Sequence, residues 1–135
     1  MKRISTLFCT ALTAVLMLTG CDPENYQHPE VLFGTWVQTE TPKAGALILT
    51  FDDDYMYVDN ADSDDKPFQN SDVWYYWMDA DSTLTIEYEY YDSDGYYQTS
   101  SRMLELSFGE DFQYLTLVYD PFLGKRREYH FFKRN

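Results

Sequence analysis

Val31-Leu32-Phe33-Gly34-Thr35-Trp36-Val37-Gln38 is the stretch on which the fold turns. Its β-branched and aromatic residues suit a half-buried pleated surface, and Gly34 and Trp36, two apart, share one face of a strand. Before it, Cys21 to Glu30 is polar, holds Pro23 and Pro29 and shows no hydrophobic period. That is the pattern of an extended tether, reaching at most about 3.5 Å per residue. His28 falls in the tether and is expected to be solvated.

After the opening stretch, short runs of strand-forming residues alternate with turns. The expected strands are Leu32 to Thr39, Ala46 to Phe51, Tyr55 to Val58, Val73 to Met78, Thr83 to Tyr90, Tyr96 to Leu106, Phe112 to Tyr119 and Arg126 to Lys133. Turn chemistry sits between them: Thr41-Pro42-Lys43-Ala44-Gly45, Asp52-Asp53-Asp54, Asp79-Ala80-Asp81-Ser82, Asp92-Ser93-Asp94-Gly95 and Asp120-Pro121-Phe122-Leu123-Gly124. Only the 59–71 connection is long. Short strands joined by hairpin-length links predict an all-β fold. An eight-stranded antiparallel up-and-down barrel removes both free edges by pairing the last strand with the first, and an open β-sandwich is the alternative. Within Thr83 to Tyr90, Leu84, Ile86, Tyr88 and Tyr90 share one face while Thr83, Thr85, Glu87 and Glu89 share the other.

At the N-terminus, Lys2 and Arg3 precede an apolar run from Ile4 to Leu18, shorter than the roughly 20 residues a bilayer span needs. It ends at Leu18-Thr19-Gly20-Cys21, which resembles the signal of bacterial lipoproteins. The resemblance implies cleavage before Cys21, a diacylglyceryl thioether on its sulfur and an acylated new N-terminus. Residues 1–20 are then a signal peptide, 21–30 a lipidated tether and 31–135 one domain. At about 0.8 kcal/mol per buried methylene, two or more acyl chains make a stable anchor. The expected location is the cell envelope, on the outer membrane, with the periplasmic or surface side left open.

Once Cys9 leaves with the signal and Cys21 carries lipid, no thiol remains for a disulfide or a Cys-bound metal. Stability must come from packing. Phe, Tyr and Trp make up 19% of the chain, enough bulk for one small core. Without Lys2 and Arg3 the 10 basic residues become 8 against 23 acidic ones, and the net charge moves from −13 to −15. Such a surface repels nucleic acid.

Phe33-Gly34-Thr35-Trp36, Leu47-x-Leu49-x-Phe51 before an Asp-rich turn, and the closing Tyr129-x-Phe131-x-Lys133-Arg134 are similar to the small lipocalin-like lipoproteins of Bacteroidetes. More distantly they resemble lipocalins, whose first strand carries Gly-x-Trp. That resemblance implies a barrel whose floor is closed by the tryptophan beneath a basic residue, with Gly34, Trp36 and Arg134 as the closing set. In a meander the links 52–54, 79–82 and 107–111 gather at the floor, where the tether leaves, and the 59–71 link at a mouth facing away from the membrane.

Arg102 shares parity with Leu104 and Leu106, and Arg127 with Tyr129 and Phe131. Inward, they would offer cations to the carboxylate or phosphate head of an amphipathic ligand lying against Tyr88, Tyr129 and Phe131. Short strands register poorly and long cationic side chains snorkel. Both effects favour the alternative, in which a bulge or reversed parity turns the arginines out towards Glu105 or Glu40. Trp74-Tyr75-Tyr76-Trp77 puts rings on both faces of one strand. The outer rings are either covered by the 59–71 link or exposed as a contact surface.

Asp59 to Asp65 lacks the glycine and glutamate of a calcium-binding loop and reads as solvated. The acidic residues of the floor links, among them Asp52, Asp53, Asp54, Glu110 and Asp111, read as a solvated rim. No metal site or cofactor is expected. Glu87 and Glu89, about 7 Å apart on one strand face, are spaced like a glycosidase pair but have no cleft to mark them. His130 reads as packed or solvated, and no nucleophile motif occurs. A non-enzymatic, lipid-anchored envelope protein follows. It either holds a small amphipathic ligand inside the barrel or docks a glycan or envelope protein through its aromatic strand. Interior volume separates the two.

Overall fold

A computed structural model describes residues 29–40, 45–79, 82–121 and 125–134. The signal, Cys21 and the tether through His28 lie outside them, as do parts of the turns at 41–44, 80–81 and 122–124. The strands are β1 (Gly34–Gln38), β2 (Ile48–Phe51), β3 (Tyr55–Asp59), β4 (Val73–Met78), β5 (Thr83–Tyr91), β6 (Tyr97–Phe108), β7 (Tyr114–Tyr119) and β8 (Arg127–Arg134). They form a closed, all-antiparallel, up-and-down barrel in chain order. Closure comes from β8 on β1, with Trp36 opposite Lys133 and Gln38 opposite Phe131. The eight expected strands are all present, and the open sandwich is excluded.

Strand ends move where a turn offers a buried contact. The first strand begins at Gly34 rather than Leu32 because Glu30–Leu32 forms a 3-10 turn. Leu32, fully buried, then plugs the floor, and its carbonyl accepts the Trp36 indole N–H at 2.9 Å. Trp36 in turn meets Phe108, ring centroids 6.2 Å apart. Gly34 has φ +120, and a Cβ there would lie 3.1 Å from Lys133 Cε. Glycine is needed on both counts, for the backbone and for the lysine that crosses it.

Period-two alternation fills the interior. Trp36, Leu49, Phe51, Met56, Trp74, Tyr76, Leu84, Ile86, Leu104, Leu106, Leu115, Leu117, Tyr129 and Phe131 all point inward and are all at most 6% exposed. Side chains this inaccessible leave no water-sized space beside them, so the barrel is filled at these layers. Edge-to-face contacts lock the rings, such as Phe51 with Tyr76 at 4.9 Å.

The long connection is a folded plug rather than a solvated loop. Its 3-10 turn, Lys66–Phe68, buries Pro67 and Phe68, and Phe68 meets Tyr129 edge-on at 5.2 Å. Burying one such ring is worth about 2 kcal/mol. The acidic residues form the frame of the plug. Asp62 Oδ1 accepts the Asp64 N–H, and Asp65 Oδ2 accepts the Asp62 N–H at 3.0 Å. Asp65, expected in solvent, is buried.

Candidate functional site

At the floor, the cation over Trp36 is Lys133, with Nζ 5.4 Å from the ring. Arg134 was expected there. Inward-facing Tyr129 and Phe131 put Lys133 on the inner face of β8 and turn Arg134 outward, where it borders a cleft with Thr50 and Tyr57. The closing set is therefore Gly34, Trp36 and Lys133.

At the mouth, the register runs without a bulge from Thr83 opposite Glu105 to Tyr91 opposite Tyr97, and from Tyr114 opposite Phe132 to Tyr119 opposite Arg127. Arg102 and Arg127 thus keep the parity of the core residues, and the outward turn to Glu105 or Glu40 is not taken. Arg102 donates to Ser100 Oγ at 2.7 Å and to the Ser101 carbonyl at 3.1 Å. Arg127 donates to the Asp64 carbonyl at 3.1 Å, approaches Asp65 Oδ1 at 3.8 Å and lies 5.1 Å over the Tyr129 ring. The five residues expected to meet a ligand do not form one chamber. Arg127 and Tyr129 are joined. Tyr88 packs on Trp74, centroids 4.8 Å apart. Phe131, fully buried two residues nearer the floor, belongs to the core.

Burial of the Asp65 carboxyl raises its pKa above the usual 3.8, opposed in part by the Asp62 N–H that it accepts and, less, by Arg127. Desolvation also pushes the Tyr129 hydroxyl well above the ordinary 10. Among the described residues this hydroxyl is the one buried side-chain polar atom without a hydrogen-bond partner.

The outer face of β3–β6 carries the other concentration of functional groups. Tyr55 lies opposite Tyr75, which lies opposite Glu87. Ring centroids are 5.4 Å apart for Tyr55 and Tyr75 and 6.2 Å for Tyr55 and Tyr57. Tyr97 donates to Glu89 Oε2 at 2.6 Å, and that bond lifts its pKa to about 12. The same carboxylate raises Tyr75. The 59–71 segment does not cover this face: Tyr75 is 38% and Tyr97 54% exposed. Glu87 and Glu89 stand on this same outer face. His130 bonds Thr116 Oγ1 through Nδ1 at 3.1 Å and meets Glu128 at 3.3 Å. Among the described residues no group of three His, Cys, Asp or Glu side chains is arranged to hold a metal ion.

Sequence reasoning singled out the Trp74–Trp77 run but missed its neighbours Tyr55, Tyr57 and Tyr97, which only the register brings beside Tyr75. It also missed Phe68. The signal was present: a Pro-Phe pair inside a polar, acidic link has little reason to stay in water. Compared with known protein families, curated proteins and solved structures, the chain finds no match.

Proposed function

We propose that this is a lipid-anchored protein of the cell envelope whose barrel is a solid scaffold for docking a neutral glycan on the tyrosine face of β3–β6. The observation that carries it is the row Tyr55–Tyr75–Glu87 with Tyr57, Glu89 and Tyr97 beside it. Tyrosine rings stack on the C–H faces of sugars, and carboxylates accept their hydroxyls. Acidic surroundings disfavour an anionic chain there. A filled interior supports docking over carriage, because an apolar tail finds no room while Phe68 holds the mouth. The anchor rests on Leu18-Thr19-Gly20-Cys21. Since β1 starts at the floor, a tether to a membrane leaves the β5–β6 hairpin pointing outward.

Electrophoresis through gels holding a neutral polysaccharide, such as a β-glucan or a mannan, tests this reading. The wild type should be retarded by at least one of them, and Tyr55→Ala/Tyr75→Ala should run freely. Tyr114→Ala, which removes an exposed ring on another face, should behave as wild type. Equal mobility of all three proteins in every gel contradicts the proposal.

A further inference from the structure

We infer that the mouth carries a second and separate site, for a short acidic oligosaccharide bearing carboxylate or sulfate groups. Lys66, Arg102, Lys125, Arg126 and Arg127 are five of the 10 basic residues in a chain of net charge −13, and they border two adjoining clefts at this one end. Those clefts, about 440 and 430 Å³, share Lys66 and Tyr119 and so form one track. Compensation is incomplete. Arg126 is held by Glu128 at 2.9 Å and Arg127 by Asp65. Arg102, among the described residues, has only neutral partners, a hydroxyl and a carbonyl. Among the described residues, no hydrogen bond or ion pair engages the ammonium of Lys66 or of Lys125.

The remaining groups suit an extended ligand better than a lone anion. One arm of the track is polar, with Gln69 and Asn70 beside Arg102 and Lys66. The other has an apolar wall of Pro67 and Tyr119 and ends at Lys125. A sugar ring packs on Tyr119 while acidic groups on either side meet Arg102 with Lys66, and Lys125. Tyr129, fully buried, forms the floor beneath the second arm. Asp64 also borders this arm and repels an anion seated close to it, which places the acidic groups towards the two lysines. The strongly negative remainder of the chain excludes a long polyanion, so the ligand is short.

Calorimetric titration of the full processed chain with tetragalacturonate, a sulfated tetrasaccharide, a neutral tetrasaccharide and inorganic phosphate tests the assignment. At least one acidic tetrasaccharide should bind, and more tightly than phosphate by about tenfold or more, with affinity falling as salt rises. Lys66→Gln/Lys125→Gln should lose about tenfold or more of that affinity, since each contact to a charged group is strong. Its thermal unfolding should stay unchanged, because neither ammonium has a partner to lose. Binding of neither acidic probe, binding no tighter than phosphate, or full affinity in the double lysine variant each overturns the site.

Discussion

Lys133 crosses the empty side of Gly34 to lie over the indole of Trp36, with Nζ 5.4 Å from the ring and 3.5 Å from the Val31 carbonyl. Three residues thus close the floor, and each depends on the others: the glycine makes room, the lysine caps, the indole fills. Gly34→Ala should cost about 1–3 kcal/mol, because alanine must hold φ +120 and push the lysine aside. Urea unfolding measures this. A loss no larger than that of an exposed-strand Gly→Ala change would contradict the arrangement.

Lys133→Ala should cost about 1 kcal/mol, the worth of a partly desolvated cation over an indole. Arg134→Ala, on the outer face, should stay within about 0.5 kcal/mol. Comparing the two by urea unfolding decides between neighbouring cations. A larger loss at Arg134 would restore it as the closing residue.

Phe68→Ala should destabilise the protein by about 3 kcal/mol, as a buried ring is lost and its surroundings only partly collapse into the hole. A loop that merely lay across the mouth would lose far less. Binding of an apolar dye to the variant and not to the wild type, read by fluorescence, would mark the opened space.

The pH dependence of Asp65 has a definite sign. Burial raises its folded pKa above the unfolded 3.8, so the folded protein holds the proton more tightly. The contribution of Asp65 to stability is then greatest below 3.8 and declines as pH rises through the folded value. Asp65→Asn cannot ionise and should gain on the wild type as pH climbs through that window, then level off. Urea unfolding across a pH series measures the difference. If the variant instead loses ground with rising pH, the Asp62 N–H and Arg127 together outweigh burial.

On the outer face, Tyr97 should titrate near 12, since its hydroxyl donates to Glu89. Glu89→Ala should return it towards 10. Ring-carbon NMR shifts followed against pH report both. An unshifted Tyr97 in the wild type would dissolve the tyrosine–carboxylate pairing on which the docking face depends.

Strand number, order and closure were legible because alternation and turn residues act locally. Leu84, Ile86 and Tyr88 declare one face, and Gly95 at φ 85 ends the hairpin where Asp92 Oδ1 accepts the Tyr96 N–H at 3.0 Å. The parity of Arg102 and Arg127 was legible too, although the bulge that would have reversed it was favoured. Three-dimensional neighbours were not. Choosing Lys133 over Arg134 needs the face assignment of one residue at a strand end. Gathering Lys66 with Lys125 needs the 59–71 segment to turn in on Phe68, a tertiary burial that local propensity does not report. The tyrosine row needs register across β3, β4 and β5.

That the barrel is full, and works by its surfaces, is tested most directly by native mass spectrometry of the processed protein gently purified from its own host. A mass equal to the lipidated chain alone, with no apolar or amphipathic small molecule retained, is the expected result. A stoichiometric amphipathic molecule leaving only on unfolding would mean that Phe68 gives way to a tail inside the barrel, and would contradict the account.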